Sequence, residues 1–188
     1  MTQAQIQPAG ATASPNYGPV DALPHIDATA FREALAHAAT AVTVIATDGA
    51  AGKAGVTCSA VCSVSDAPPT ILFCVNRRSA ANSVIKANGL LSVNWLHALQ
   101  TDVSQVFSGI GQIPMSERFN DERWQPSEHG IPYRTDALVS VDCRIASAME
   151  IGTHSVFVAR VLNARKTVGA APLVYCQRAY ATTRPTHS

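Results

Sequence analysis

The chain is short of charge. Only 14% of its 188 residues are Asp, Glu, Lys or Arg, where a soluble domain usually carries ~25%. A surface of this size with so few charges implies that part of it is covered, most simply by a second copy of the chain. The net charge of +1 leaves no basic stripe, so nucleic acid is not an expected partner. No apolar run approaches the ~20 residues of a membrane-spanning helix, so no membrane span is expected. The opening segment, MTQAQIQPAGATASPNYGPVDALPH, is polar and rich in Ala, Pro and Gly. It lacks the basic and apolar regions of a secretory signal. The expected organisation is a flexible tail over 1–25, one domain over 26–182 and a short tail over 183–188, with the cytoplasm as default location.

Several chemical motifs are also missing. GxGxxG after a strand, GxxxxGK(S/T), GxSxG and HExxH do not occur. This excludes only the architectures that depend on them. The histidines outside position 154 are scattered without ligand spacing, so no metal site is expected. Five cysteines is an odd number in a chain without a secretory signal. All five are read as small buried hydrophobes.

What is present is mostly β. TAVTVIATD (40–48) ends in an Asp-Gly turn signal. It pairs with GVTCSAVCSVS (55–65) in a hairpin reading. At period two, one face of 55–65 carries Val56, Cys58, Ala60, Cys62 and Val64, and the other carries mainly hydroxyls. On one strand Cys58 and Cys62 would lie ~13 Å apart, too far for a disulfide or a shared metal. TILFCV (70–75) reads as a strand buried on both faces. LLSVNWL (90–96), 136–152, 155–166 and 172–177 read as further strands. Short helices are expected over Ile26–Thr40, capped by Asp27, from Ser79 through Ala87 with Gly89 as stop, and over Leu99–Phe107. Residues 108–135 read as irregular. Full-length crossover helices are missing, which favours a closed or partly closed antiparallel barrel over a doubly wound sheet.

Three constellations could carry chemistry. Asn76-Arg77-Arg78-Ser79-Ala80-Ala81-Asn82 lies where a buried strand meets a helix start. Free amides and guanidinium forks there suit a phosphate; a capped helix with two solvated arginines is the plainer reading. The hydroxyl face of 55–65 could line a polar heterocycle, or simply face solvent. Gly152-Thr153-His154-Ser155 puts a histidine at a turn between two long strands, where it could touch a ligand or be an ordinary surface residue.

Taken together, these segments resemble the short-chain, split-barrel flavin reductases, including the reductase components of two-component monooxygenases of the 4-hydroxyphenylacetate 3-monooxygenase type. The resemblance runs from about Phe31 to Tyr180. It rests on FREALAHAATAVTVIAT, GVTCSAVCSVS, DAPPTILFCVN, the Arg/Ser/Asn helix start, NGLLSVNWL, DVSQVFSG, ERF, the GTH turn and PLVY, in that order. It implies a mainly β fold: a split β-barrel, Greek key and FMN-binding, with a few short helices, assembled as a homodimer.

The resemblance also implies a site. Gly55, Val56, Thr57, Cys58, Ser59 and Ala60 match the flavin-ring strand. Cys74, Val75, Asn76, Arg77, Arg78, Ser79 and Asn82 match the ribityl and phosphate segment. Val106, Phe107 and Ser108 match a further flavin-side segment. His154, Tyr175, Cys176, Gln177 and Arg178 match the nicotinamide side. Thr153 stands where the family turn often has Asp, and Cys176-Gln177 departs from the usual His-Arg or Arg-Gly. Both departures touch the pyridine nucleotide side.

The implied activity is hydride transfer from NADH or NADPH to FMN, or to FAD. A flavin-dependent oxygenase would receive the diffusible reduced flavin. His154 is the implied catalytic-side group, acting more to orient than as an obligatory acid. A pyridoxamine-phosphate-oxidase-like oxidase and a non-catalytic flavin carrier are the alternatives.

Overall fold

A computed structural model describes residues 23–186. The expected N-terminal tail lies outside the described residues except for 23–25. The chain runs through α1 (Ala28–Ala36), β1 (Thr40–Ala41), β2 (Thr43–Thr47), β3 (Ala54–Cys58), β4 (Val61–Asp66), β5 (Pro69–Asn76), α2 (Ala80–Asn88) and β6 (Leu90–Trp95). It continues through α3 (Thr101–Ser108), β7 (Trp124–Pro126), β8 (Pro132–Arg134), β9 (Val139–Ile151), β10 (His154–Lys166), β11 (Leu173–Cys176) and β12 (Ala179–Thr182).

β2 shows why the chain curls. It is buried along its whole length, and successive side chains point to opposite faces. Ile45 enters one apolar cluster with Phe73, Ile85, Leu91, Val93 and Phe157. Val44 and Ala46 enter another with Leu96, Val103, Phe107, Trp124 and Leu173. A strand with core on both sides sits at the centre of the molecule. Around it runs an antiparallel sheet of order β3-β2-β6-β9-β10-β5-β4. The main cluster fills the barrel interior, where the Phe73 and Phe157 rings stack at 4.8 Å.

The two edge strands of that sheet, β3 and β4, are consecutive in the chain. The reading of 55–65 as one strand is therefore corrected. The strand stops at Cys58 and restarts at Val61, because the chain steps at Ser59-Ala60 from one edge of the open barrel to the other. The continuous apolar face does not exist: Cys58 is buried, but Cys62 and Val64 are exposed. The strand spacing that separated the two cysteines lapses with it, although both thiols are free. A pair of bonds stitches the seam. The Cys74 amide donates to the Ala60 carbonyl at 3.0 Å, and Cys58 Sγ donates to the Cys74 carbonyl at 3.2 Å.

Other expectations hold with shorter bounds. Asp27 caps α1 through amides of Thr29 and Ala30 at 2.7 and 3.0 Å. These bonds lower its pKa, Ala30 first. Yet α1 buries no residue, and Phe31 is 50% exposed. Gly89 ends α2 at φ +69°, a conformation that favours glycine. Residues 108–135, expected to be irregular, contain the β7–β8 hairpin. β12 was not expected; it follows β11 after a tight turn with Gln177 and Arg178 at positive φ. Among the described residues no helix is long and apolar enough to cross a membrane.

Candidate functional site

Edge strands carry backbone groups that no neighbour satisfies. β3 pairs on one side with β2 alone. On its free side the Gly55 amide meets Met115 Sδ at 3.4 Å. Strand alternation puts the Thr57 amide on that same free side. The seam thus leaves the Thr57 amide without a strand partner, next to the Ser59-Ala60 step.

A cavity of about 200 Å³ opens there. The chain segment 56–60 forms one wall and Cys74, Val75, Asn76 and Ser79 the other, with His154 at the rim. Nine of the residues expected at a flavin therefore meet at one cavity, together with the expected His154. Ser59 and Ser79 bring hydroxyls that have no hydrogen-bond partner among the described residues. Ser79 was expected to cap α2. It occupies the cap position, but its side chain makes no capping bond, so the hydroxyl and the first amides of α2 stay available. Among the described residues no carboxylate lines the cavity. Burial pushes the Cys58 thiol up to about 11, so it adds no negative charge either.

The 57–59 segment has a second side. There Thr57 and Ser59 face Ser108, Ile110 and Tyr175 across a groove of about 260 Å³. Thr57 Oγ1 donates to the Ser104 carbonyl at 2.6 Å. Ser104 Oγ lies 2.9 Å from Tyr180 Oη, and the Tyr180 ring meets Tyr175 edge-on at 5.4 Å. Ser108 and Tyr175 thus line a groove that shares Thr57 and Ser59 with the smaller cavity.

Four expected contact residues turn inward. Gly55 is buried beneath Phe107. A Cβ there would stand 2.5 Å from Phe107 Cε1, so packing alone already requires the glycine. Phe107 is 2% exposed and wedged edge-on against Phe119 and Trp124 at 5.0 and 5.3 Å. Val106 packs against the same cluster. Asn82 is 4% exposed, and its Nδ2 donates to the Val75 carbonyl at 3.1 Å and Ser155 Oγ at 3.0 Å. Its amide is consumed inside the fold. Cys176, Gln177 and Arg178 stand apart from His154. Cys176 Sγ donates to the His37 carbonyl at 3.4 Å, and Gln177 and Arg178 flank the end of α1.

A larger cavity of about 920 Å³ adjoins the first, sharing Asn76 and His154. The strand register explains the junction, because His154 of β10 pairs with Asn76 of β5. Thr153 Oγ1 lies 2.9 Å from His154 Nδ1 and fixes the imidazole. Sequence reading missed the residue that holds this turn. Glu150 takes Arg77 Nε at 3.1 Å, forms an ion pair with Lys86, and accepts from Ser155 Oγ at 2.9 Å. Lys86 foremost, then Ser155 and Arg77, hold the Glu150 carboxyl below its ordinary range. These residues are up to 73 positions from Glu150 (150 − 77), and no local pattern joins them.

The comparisons with known proteins agree with this architecture. Residues 35–184 match the model of the flavin reductase like domain. The chain belongs to the flavin reductase like family. It is 45% identical over 157 residues to an "FMN reductase (NADH) RutF" of Methylorubrum extorquens, covering 84% of this chain and 76% of that protein. It is 42% identical over 151 residues to the "4-hydroxyphenylacetate 3-monooxygenase reductase component" of Pseudomonas aeruginosa, covering 80% of this chain and 89% of the relative. Among solved structures, BorF, the flavin reductase component of a bacterial two-component tryptophan halogenase, superposes with a TM-score of 0.78 at 28% identity. That match covers 85% of this chain and 100% of BorF. The split-barrel expectation holds with the family.

Proposed function

We propose that this flavin reductase uses NADH to reduce FMN, and that the reduced flavin leaves for a separate oxygenase. The observation that carries the reading is the pair of cavities at the barrel seam, joined at Asn76 and His154. The smaller fits a planar polar heterocycle because small residues let it approach the strand and unpaired hydroxyls and amides face it. Bound flavin supplies the hydride acceptor and NADH the hydride.

The chain's own residues supply placement and electrostatics. Ser59, Ser79, the free-edge amide of Thr57 and the first amides of α2 hold the ring and the phosphate. With no carboxylate in the lining among the described residues and Cys58 a neutral thiol, these walls do not oppose negative charge arriving on the ring. His154, steadied by Thr153, sits where the nicotinamide has to enter and orients it. No base is needed to move a hydride. Ser59 and Ala60 are exposed, which suits a flavin that comes and goes. The relatives' printed names support FMN and NADH as the pair, and one names a monooxygenase reductase component.

The same reading includes a homodimer. The end of β9 is hydrogen-bonded to β10 yet exposed, with Met149 at 52% and Ile151 at 59%. Past Arg144 its pairing with β6 has ended, so this stretch offers an apolar face and an open edge to be covered, and the scarcity of charge fits a second copy.

A steady-state assay tests the activity. NADH and NADPH are crossed with FMN, FAD and riboflavin, with oxygen excluded. NADH oxidation that depends on added FMN supports the proposal; no oxidation with any flavin overturns it. A single-chain mass in sedimentation would overturn the dimer.

A further inference from the structure

Two thiols stand together at the wall of the smaller cavity. β4 pairs with β5 so that Cys62 lies directly opposite Leu72. Residues two apart on a strand share a face, so Cys62 and Cys74 are diagonal neighbours on one face of the sheet. Cys74 lines the cavity, and Cys62 is exposed. Burial first, and then the charge of a Cys62 thiolate, push the Cys74 thiol up, as expected of two sulfurs at close range. Cys58 lines the same cavity but is buried, and its hydrogen goes to the Cys74 carbonyl at 3.2 Å. Diagonal neighbours have Cα atoms ~7–8 Å apart, and a disulfide needs less than ~7 Å. β4 has to supply the missing ~1 Å, and it is built to move. Among the described residues β5 is its only strand neighbour. It is exposed over most of its length, and its register against β5 already slips between Ser63 and Ser65.

We propose that Cys62 and Cys74 are a peroxide-sensitive pair whose disulfide closes the flavin cavity. The inference rests on the placement of the flavin ring at the seam. The oxidant is hydrogen peroxide, formed when released reduced flavin passes two electrons and two protons to dioxygen. The accessible Cys62 sulfur, as thiolate, attacks one peroxide oxygen. The O–O bond breaks, hydroxide leaves, and the sulfur, having given up two electrons, is a sulfenic acid. The Cys74 thiolate then attacks the Cys62 sulfur. The S–S bond forms, the S–O bond breaks, and a second hydroxide leaves. With the two thiol protons, the two hydroxides become two waters. The new bond draws β4 toward Cys74. Ala60, just ahead of β4, is tied to the Cys74 amide at 3.0 Å, so the 59–60 wall shifts and takes Ser59 out of place. Flavin reduction thus falls when its product is being lost to oxygen, and a thiol reductant restores it.

Full-length wild type and Cys62→Ser, each treated with hydrogen peroxide, are mapped as unreduced peptides by mass spectrometry and titrated with FMN. Wild type yields a Cys62–Cys74 peptide pair and loses FMN affinity about tenfold, the worth of one or two hydrogen bonds from the displaced wall. Dithiothreitol restores the affinity. Untreated Cys62→Ser binds FMN as reduced wild type does, and peroxide leaves its affinity unchanged. Absence of the Cys62–Cys74 pair overturns the proposal. So does a sulfinic acid at Cys62 in its place, or a disulfide that leaves FMN affinity unaltered. The peptide map keeps this reading separate from the placement of the flavin. FMN bound by reduced wild type, with no Cys62–Cys74 pair after peroxide, sinks the disulfide alone. No FMN binding by reduced wild type sinks the placement of the ring, and the closure with it.

Discussion

Arg77 Nε stands 3.1 Å from Glu150 Oε2, and this pair ties the start of α2 to the turn that carries His154. The Arg77 amide also donates to the Thr153 carbonyl at 2.9 Å. An arginine that reads as a phosphate ligand is therefore a brace. Arg77→Ala is expected to raise the NADH KM, with FMN and riboflavin affinities changing by the same factor within about twofold. Ser79→Ala removes a free hydroxyl at the proposed phosphate end. It should weaken FMN about fivefold, the worth of one hydrogen bond, and riboflavin less than twofold. Fluorescence titration with both flavins checks the pair. A loss specific to FMN in Arg77→Ala would restore Arg77 as a phosphate ligand.

Gly55→Ala tests whether that glycine belongs to the core. Its Cβ would meet Phe107 Cε1 and Cδ1 at 2.5 and 2.7 Å and Phe119 Cζ at 3.0 Å. Phe107 has little room to yield, being held between Phe119 and Trp124. Overpacking of this kind costs ~1–3 kcal/mol. The urea midpoint should fall accordingly, and an unchanged midpoint would show that the ring can move.

Arg134 makes acid stability depend on one carboxylate. Its side chain is 1% exposed, with Nη1 2.9 Å from Asp121 Oδ2 and Nε 2.8 Å from Asp136 Oδ1. Hydrogen bonds from Arg123, then from Arg134, hold the Asp121 carboxyl well below the usual range. A depressed folded-state pKa stabilises the fold above the unfolded value, ~3.9, and that contribution is lost as pH falls toward the folded value. Asp121→Asn should cost about 1.5–3 kcal/mol at pH 7, with Asp136 still in place. The gap from wild type should shrink below pH ~4. Denaturant melts across pH 2–7 measure it, and a gap constant with pH would contradict the account.

The thiols differ in reach. Burial pushes Cys58 to about 11 and Cys143 to about 12, whereas Cys62 is exposed. Iodoacetamide at pH 8, read by mass spectrometry, should label Cys62 first and leave Cys58 and Cys143 unmodified in the folded protein. Early modification of Cys58 would show that the seam opens.

Local pattern reached far in this chain and failed at identifiable places. Capping by Asp27, the stop at Gly89 and the buried run of β5 are properties of neighbours in sequence, and they were legible. The break at Ser59-Ala60 was not. Alternation over 55–65 is continuous on paper, and only closure of the sheet requires the chain to leave one edge for the other. Gly55, Asn82 and Phe107 lie within motifs that match flavin-binding segments, yet packing against distant residues turns them inward. Glu150 carries no motif at all. Its role comes from Arg77, Lys86 and Ser155 meeting around it, a long-range fact of the sheet register.

The central claim is that the flavin ring sits at the barrel seam. Ser59→Trp places an indole in a cavity of about 200 Å³, at an exposed position between strands where the fold should tolerate it. FMN titration of this variant, with circular dichroism confirming a native fold, is the direct measurement. The account predicts that FMN affinity falls by more than about tenfold (~1.4 kcal/mol). Undiminished FMN binding by the folded variant would contradict it.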